Sequence, residues 1–71
     1  MAAADVRDMT CAQALAVVAR AVAGLANGEA VRVRSNADDV KRDVRAWARE
    51  RGHCVEEEPP DTLRVQRGRP S

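Results

Sequence analysis

Apolar residues recur along the chain with two periods. Leu15, Val18, Val22 and Leu25 are three or four residues apart and share one face of a helix, with Arg20 off that face. Thr10-Cys11-Ala12-Gln13 opens this helix in the form of a capping box, in which Thr10 accepts from a first-turn N–H and Gln13 reaches back. Asn27-Gly28, both tolerant of positive φ, is the predicted stop. From Glu29 to Arg34 the period is two. Val31 and Val33 fall on one side and Arg32 and Arg34 on the other, as in a half-buried strand. A second helix opens at Asn36-Ala37-Asp38-Asp39, whose acids suit the positive end of the helix dipole. Its apolar face is Val40, Val44, Trp47 and Ala48. Arg49 and Arg51 favour its last turn, and Gly52 ends it.

Three shorter segments complete the pattern. Asp5-Val6-Arg7 reads as a brief strand with Val6 inward, and Cys54-Val55 begins a strand that runs into Glu56-Glu57-Glu58. Pro59-Pro60-Asp61 signals a turn, and Thr62 to Arg67 alternates again with Leu63 and Val65 inward. The predicted order is βαβαββ. A helix joining the first two strands makes them parallel with a right-handed crossover, and the last two form an antiparallel hairpin. The expected fold class is an α/β (α+β) two-layer sandwich, with two helices packed on one face of a four-stranded mixed sheet. Residues 1–71 are expected to form a single domain with a frayed tail from about 68 to 71.

Composition narrows the chemistry. A chain of 71 residues buries only about 60% of its unfolded surface, which leaves little interior for an enclosed substrate pocket. A reacting group should therefore lie near the surface, with part of the site supplied by a partner. Apolar residues make up 45% of the chain but Trp47 is the only aromatic, so Ala, Val and Leu must build the core. With 32% charged residues, a soluble globular domain is expected. Lys plus Arg is 12 against 11 acids, a net +1 that carries no general attraction to nucleic acid or anionic lipid. Arg7, Arg32, Arg34 and Arg64 could line the open sheet face. Without Phe or Tyr to stack on bases, and with Glu56 on the same face, a solvated, partly salt-bridged surface is expected and nucleic acid is not an expected partner. Two cysteines are few for a disulfide-stapled secreted domain. No apolar run approaches the roughly 20 residues of a membrane span. Met1-Ala2-Ala3-Ala4-Asp5 lacks the basic start and apolar core of a signal peptide, so the cytoplasm is the expected compartment.

Cys11 is the most informative residue. It stands where a loop enters a helix, and there the first-turn N–H groups lack intrahelical partners and the dipole favours negative charge. A thiolate is stabilised at such a place. The exposed dipole supplies only about 0.3–1 kcal/mol, less than about one pKa unit, so direct N–H···S contacts would have to add to it. The competing reading is a small apolar filler at a helix start.

Asp5-Val6-Arg7-Asp8-Met9-Thr10-Cys11-Ala12-Gln13-Ala14 resembles the opening Asp-x-x-Gly-Leu-x-Cys-Pro-x-Pro of the TusA-like (SirA-like) sulfur carriers. The likeness runs on through Arg20, Ala21, Leu25, Gly28 and Glu29, then Arg42-Asp43-Val44, Trp47 and Gly52-His53. In that family the cysteine accepts sulfane sulfur as a persulfide and passes it to another protein. The resemblance therefore implies that Cys11 is the catalytic residue of a sulfurtransferase-type carrier and not of a stand-alone enzyme. It implies a cysteine desulfurase or rhodanese-like donor and a protein acceptor, with no organic cofactor and no metal. The donor should touch Met9, Thr10, Gln13 and Arg20. Asp8 stands at the family's glycine, and Ala12 and Ala14 at its two prolines. The alanines restore backbone N–H groups. If Cys11 is the N-cap these support its sulfur; if Thr10 is, Cys11 lies inside the first turn. A depressed Cys11 pKa and retained persulfide loading are expected. The same alanines support the alternative of a protein-binding or regulatory module that has lost sulfur transfer.

Other candidates are secondary. Cys54 should point to the open sheet face, away from Cys11, and His53 is expected to serve the start of the third strand. Cys11, His53 and Cys54 lack the paired spacing of a zinc site. Trp47 is expected in the core, and Asp43 falls at a family aspartate that an ordinary solvated helix residue would equally explain.

Overall fold

The elements follow the predicted order. In the computed structural model, which describes residues 2–68, they are β1 (Ala2–Asp5), α1 (Cys11–Ala23), β2 (Ala30–Arg34), α2 (Asp38–Glu50), β3 (Cys54–Glu58) and β4 (Thr62–Gln66). The strands form one sheet in the order β1-β2-β4-β3. β1 and β2, joined through α1, are parallel, whereas β4 runs antiparallel to both β2 and β3. Glu58 faces Thr62 across the hairpin, so Pro59-Pro60-Asp61 is the turn.

Alternation in the strands builds the helix-facing side of the sheet. Val31, Val33, Leu63 and Val65 have no exposed surface and pack against Val18, Val22, Val40 and Val44 of the two helices. Register carries this face outward to Val55 and Glu57 on β3 and to Ala4 on β1. Lys41, buried on α2, donates to the Pro60 carbonyl at 3.1 Å and ties the helix to the hairpin turn. The opposite face carries Arg32 and Arg34. They pair with Glu58 at 3.1 Å and Asp61 at 3.0 Å, the salt-bridged surface expected there.

Two boundaries differ from the periodicity. The first strand lies at Ala2–Asp5, not Asp5–Arg7, because an all-alanine run has pairing capacity but no alternation to read. Val6 continues the ladder by donating to the Arg34 carbonyl at 2.9 Å and is buried as expected. Arg7 has already left the sheet. Its backbone and guanidinium both bond the Asp5 carboxylate, which is held near pKa 2 by that pair, and Asp8 turns the chain at φ 64°. The second difference is the end of α1, which stops at Ala23 with Gly24 as its C-cap, not at Asn27-Gly28. The Arg67 guanidinium takes the carbonyls of Ala23 and Leu25 there, which satisfies acceptors that a longer helix would have used. Gly28, at φ 90°, serves the start of β2, where its N–H donates to Arg67 at 2.8 Å. Of the expected frayed tail, Arg69 to Ser71 lie outside the described residues, while the Gly68 N–H is bonded to His53 Nδ1 at 3.0 Å.

Candidate functional site

The start of α1 is fixed by side chains. Thr10 is the N-cap. Its Oγ1 accepts from Gln13 N–H at 3.2 Å, and Gln13 Oε1 accepts from Thr10 N–H at 3.1 Å, completing the capping box. Cys11 is thereby the first residue of the helix and not its cap. Ala14 donates to the Thr10 carbonyl at 2.9 Å and is fully buried, so its restored N–H serves the helix and not the sulfur.

The Cys11 side chain turns toward α2. Its Sγ–H donates to Asp39 Oδ2 at 3.8 Å, across 28 positions of sequence. Asp39 lies in the first turn of α2 and Asp43 one turn later, at the spacing that puts two side chains on one helix face. The thiol is pushed up to about 11, first by its hydrogen bond to Asp43, then by desolvation and by the charges of Asp39 and Asp43. This reverses the expected depression. A helix terminus offers a fraction of a kcal/mol at an exposed site, and two nearby carboxylates that accept from the neutral thiol outweigh it. Asp39 was visible in the sequence only as a helix-start acid. The signal that could have found the pair is its i, i+4 spacing to Asp43.

The other predicted residues are dispersed. Met9 is half-buried and packs against the core below Cys11. Thr10 and Gln13 are exposed beside it, and Ala12 is exposed on the same turn. Arg20 is not part of this group. Nine residues along the helix is about 13 Å and half a revolution, which places it on the far side of α1. Cys54 begins β3 with Gln66 opposite, on the open sheet face, so the two free cysteines belong to different layers. His53 binds the chain after β4, and its ring lies 5.4 Å from that of Trp47, which packs half-buried against the core. Among the described residues, no three His, Cys, Asp or Glu side chains are placed to hold a metal ion.

A family sequence model described as Sulfurtransferase TusA matches residues 3–66. The chain belongs to the TusA family. The match runs from the second residue of β1 to the end of β4, so the family assignment applies to the fold just described. Membership implies a role in sulfur transfer, a task in which cargo passes between proteins. Searches of curated proteins and of solved structures gave no match. Among the described residues no helix is long and apolar enough to cross a membrane.

Proposed function

We propose that this protein is a sulfur carrier that accepts sulfane sulfur on Cys11 as a persulfide and yields it to a protein acceptor. The observation that carries the reading is the place of Cys11. It is a free, half-exposed thiol on the first residue of a side-chain-capped helix, inside the stretch matched to the sulfurtransferase family. A cysteine desulfurase or rhodanese-like protein is the donor. Cys11 gives up its proton and its sulfur attacks the outer sulfur of the donor persulfide. A new S–S bond forms at Cys11 as the donor's S–S bond breaks. The electron pair leaves on the donor's thiolate, which takes up a proton, and no external oxidant or reductant is needed.

With its pKa near 11, the Cys11 thiol is protonated at neutral pH in the free protein. The thiolate is the nucleophile, so transfer waits for a donor that neutralises Asp39 and Asp43, as a lysine or arginine set between them would. The compartment of this exchange is the cytoplasm.

The raised pKa also favours a second reading, a family member that binds partner proteins without transferring sulfur. Mass spectrometry after incubation with a cysteine desulfurase and cysteine separates the two. The carrier gains one sulfur atom on Cys11, and Cys11→Ser gains none. A wild-type protein that stays unmodified both with an active desulfurase and with a persulfide-loaded rhodanese overturns the carrier reading and leaves the second.

A further inference from the structure

The two edges of the sheet are defended differently. β3 presents Glu56, Glu57 and Glu58 and runs into Pro59-Pro60, and charges and prolines are what keep an edge from pairing with another chain. β1, at the other edge, is Ala2-Ala3-Ala4-Asp5. Its one charge is already held by Arg7 at 2.8 Å. Val6 N–H points to β2, where it meets the Arg34 carbonyl at 2.9 Å, so by alternation the N–H and C=O groups of Ala3 and Asp5 point outward. Among the described residues no strand pairs with them.

The helix above this edge is only partly covered, with Val17 and Ala21 half-buried against the core. α1 turns Cys11 and Ala19 toward α2, where they meet Asp39 and Trp47. Val17 and Ala21 lie roughly 160° round the helix from Ala19, on the β1 side. With Ala16 and Arg20 they line an open concavity of about 440 Å³.

We propose that this edge and this flank together form a self-association surface, and that the occupant is a second copy of the chain, paired antiparallel through β1 about a two-fold axis at Ala4. Ala3 then exchanges both backbone hydrogen bonds with Asp5 of the second copy, and Asp5 does so with its Ala3. The helices fit the same operation. α1 packs on both β1 and β2, so its axis runs above the space between them. Strands about 4.8 Å apart bring the two α1 axes to about 10 Å, the distance at which helices pack. Only short side chains fit between axes that close; Ala16, Val17 and Ala21 are short, and the longer, exposed Arg20 belongs at the rim of the contact.

Charge agrees with this choice of edge. On the strands themselves no like charges meet across the β1 two-fold, whereas β3 against β3 would bring six glutamates together; on the helix flank the exposed Arg20 is the one charged residue of the lining. An extended segment from another protein would satisfy Ala3 and Asp5 but leave Val17 and Ala21 bare. A four-residue strand edge and one short helix flank make a smaller contact than the roughly 800 Å² per partner of a standard interface, so the dimer is weak and concentration-dependent. Cys11 lies on the other flank of α1 and stays open in it.

Sedimentation velocity from about 10 μM to about 1 mM tests this. The weight-average mass of the wild type should climb from 7.7 kDa toward twice that value. Ala3→Pro, which removes an outward N–H on an edge that tolerates proline, and Val17→Lys, which sets two like charges at the axis, should both stay monomeric with unchanged circular dichroism. Should Ala3→Pro fail to fold, Val17→Lys decides alone. A wild type that remains at 7.7 kDa at the highest concentration overturns the proposal. So does association that folded variants leave unaltered. A monomeric wild type whose Ala3 and Asp5 amide resonances move only when a sulfur donor is added assigns the edge to a different chain and also overturns it.

Discussion

α1 and α2 have the same length, 13 residues, and lay one face each on the same sheet, yet almost everything else about them differs. α1 begins with a capping box, whereas the N-cap of α2 is Ala37, with no side-chain bond and two aspartates in the first turn instead. Away from the core, α1 shows alanines with Gln13 and Arg20 as its only polar residues, while α2 shows charge at nearly every position. Burial of Val18 and Val22, or of Val40 and Val44, accounts for the inner faces equally. The outer faces are therefore not dictated by the fold. α2 satisfies its surface with water and ion pairs such as Arg45–Glu57 at 2.5 Å. The small, apolar outer surface of α1 leaves room for other chains, and Cys11 sits at its first turn.

The comparison can be broken first at the shared core. Val18→Asp in α1 and Val44→Asp in α2 each put a carboxylate where no surface is exposed. Each should cost more than about 3 kcal/mol, a large share of the stability of about 4–10 kcal/mol expected at this length. Urea denaturation followed by circular dichroism should give similar losses for both, and a large loss at one site alone would mean that the helices are not equal partners in the core.

The next effect is electrostatic and comes from α2 acting on α1. Asp39→Asn and Asp43→Asn should lower the Cys11 pKa from about 11 toward the ordinary 9.0, most of all in the double variant. Ultraviolet thiolate absorbance against pH reads this directly, with Cys54→Ser as background. Because the folded state binds the Cys11 proton more tightly than the unfolded chain does, this group's contribution to stability is complete below pH 9.0 and is lost as the pH rises through about 11. A titration unchanged by both substitutions would remove the carboxylates as its cause.

Smaller effects sharpen the contrast between the two helix starts. Thr10→Ala should cost about 1 kcal/mol, and Ala37→Ser, which gives α2 the cap it lacks, should add about 0.5–1 kcal/mol. Opposite signs in thermal unfolding are the expected outcome. The smallest change is Ala12→Pro, at an exposed position of the first turn, which should stabilise by roughly 0.4–1 kcal/mol by restricting the unfolded chain. A loss there would show that the Ala12 N–H has a partner.

Most of the fold was legible because it rests on local rules. The capping box needs only Thr10 and Gln13, and the alternation of Val31, Val33, Leu63 and Val65 marks an inner face without knowledge of their neighbours. Legibility ended where the deciding partner is remote. β1 could not be placed from three alanines because pairing with β2, not side-chain pattern, makes it a strand. α1 stops early because Arg67, more than forty positions on, takes its terminal carbonyls. The site divides in the same way. Cys11 was recognisable from its own decapeptide, whereas the sign of its pKa shift depends on Asp39 and Asp43, which only helix packing brings to it.

The charge layout of α2 has a consequence for how the molecule meets a partner. Asp38, Asp39 and Asp43 outnumber Lys41 and Arg42 in its first half, and Arg45, Arg49 and Arg51 outnumber Glu50 in its last turns and end. The net charge of +1 conceals this separation over a helix about 20 Å long. In the field of another protein such a molecule feels little overall pull and a modest torque, which turns its more acidic end, with Cys11, toward positive potential. Salt at physiological strength screens fields beyond about 8 Å. The rotation therefore acts in the final approach, and lower ionic strength should lengthen its reach while leaving the contacts themselves unchanged.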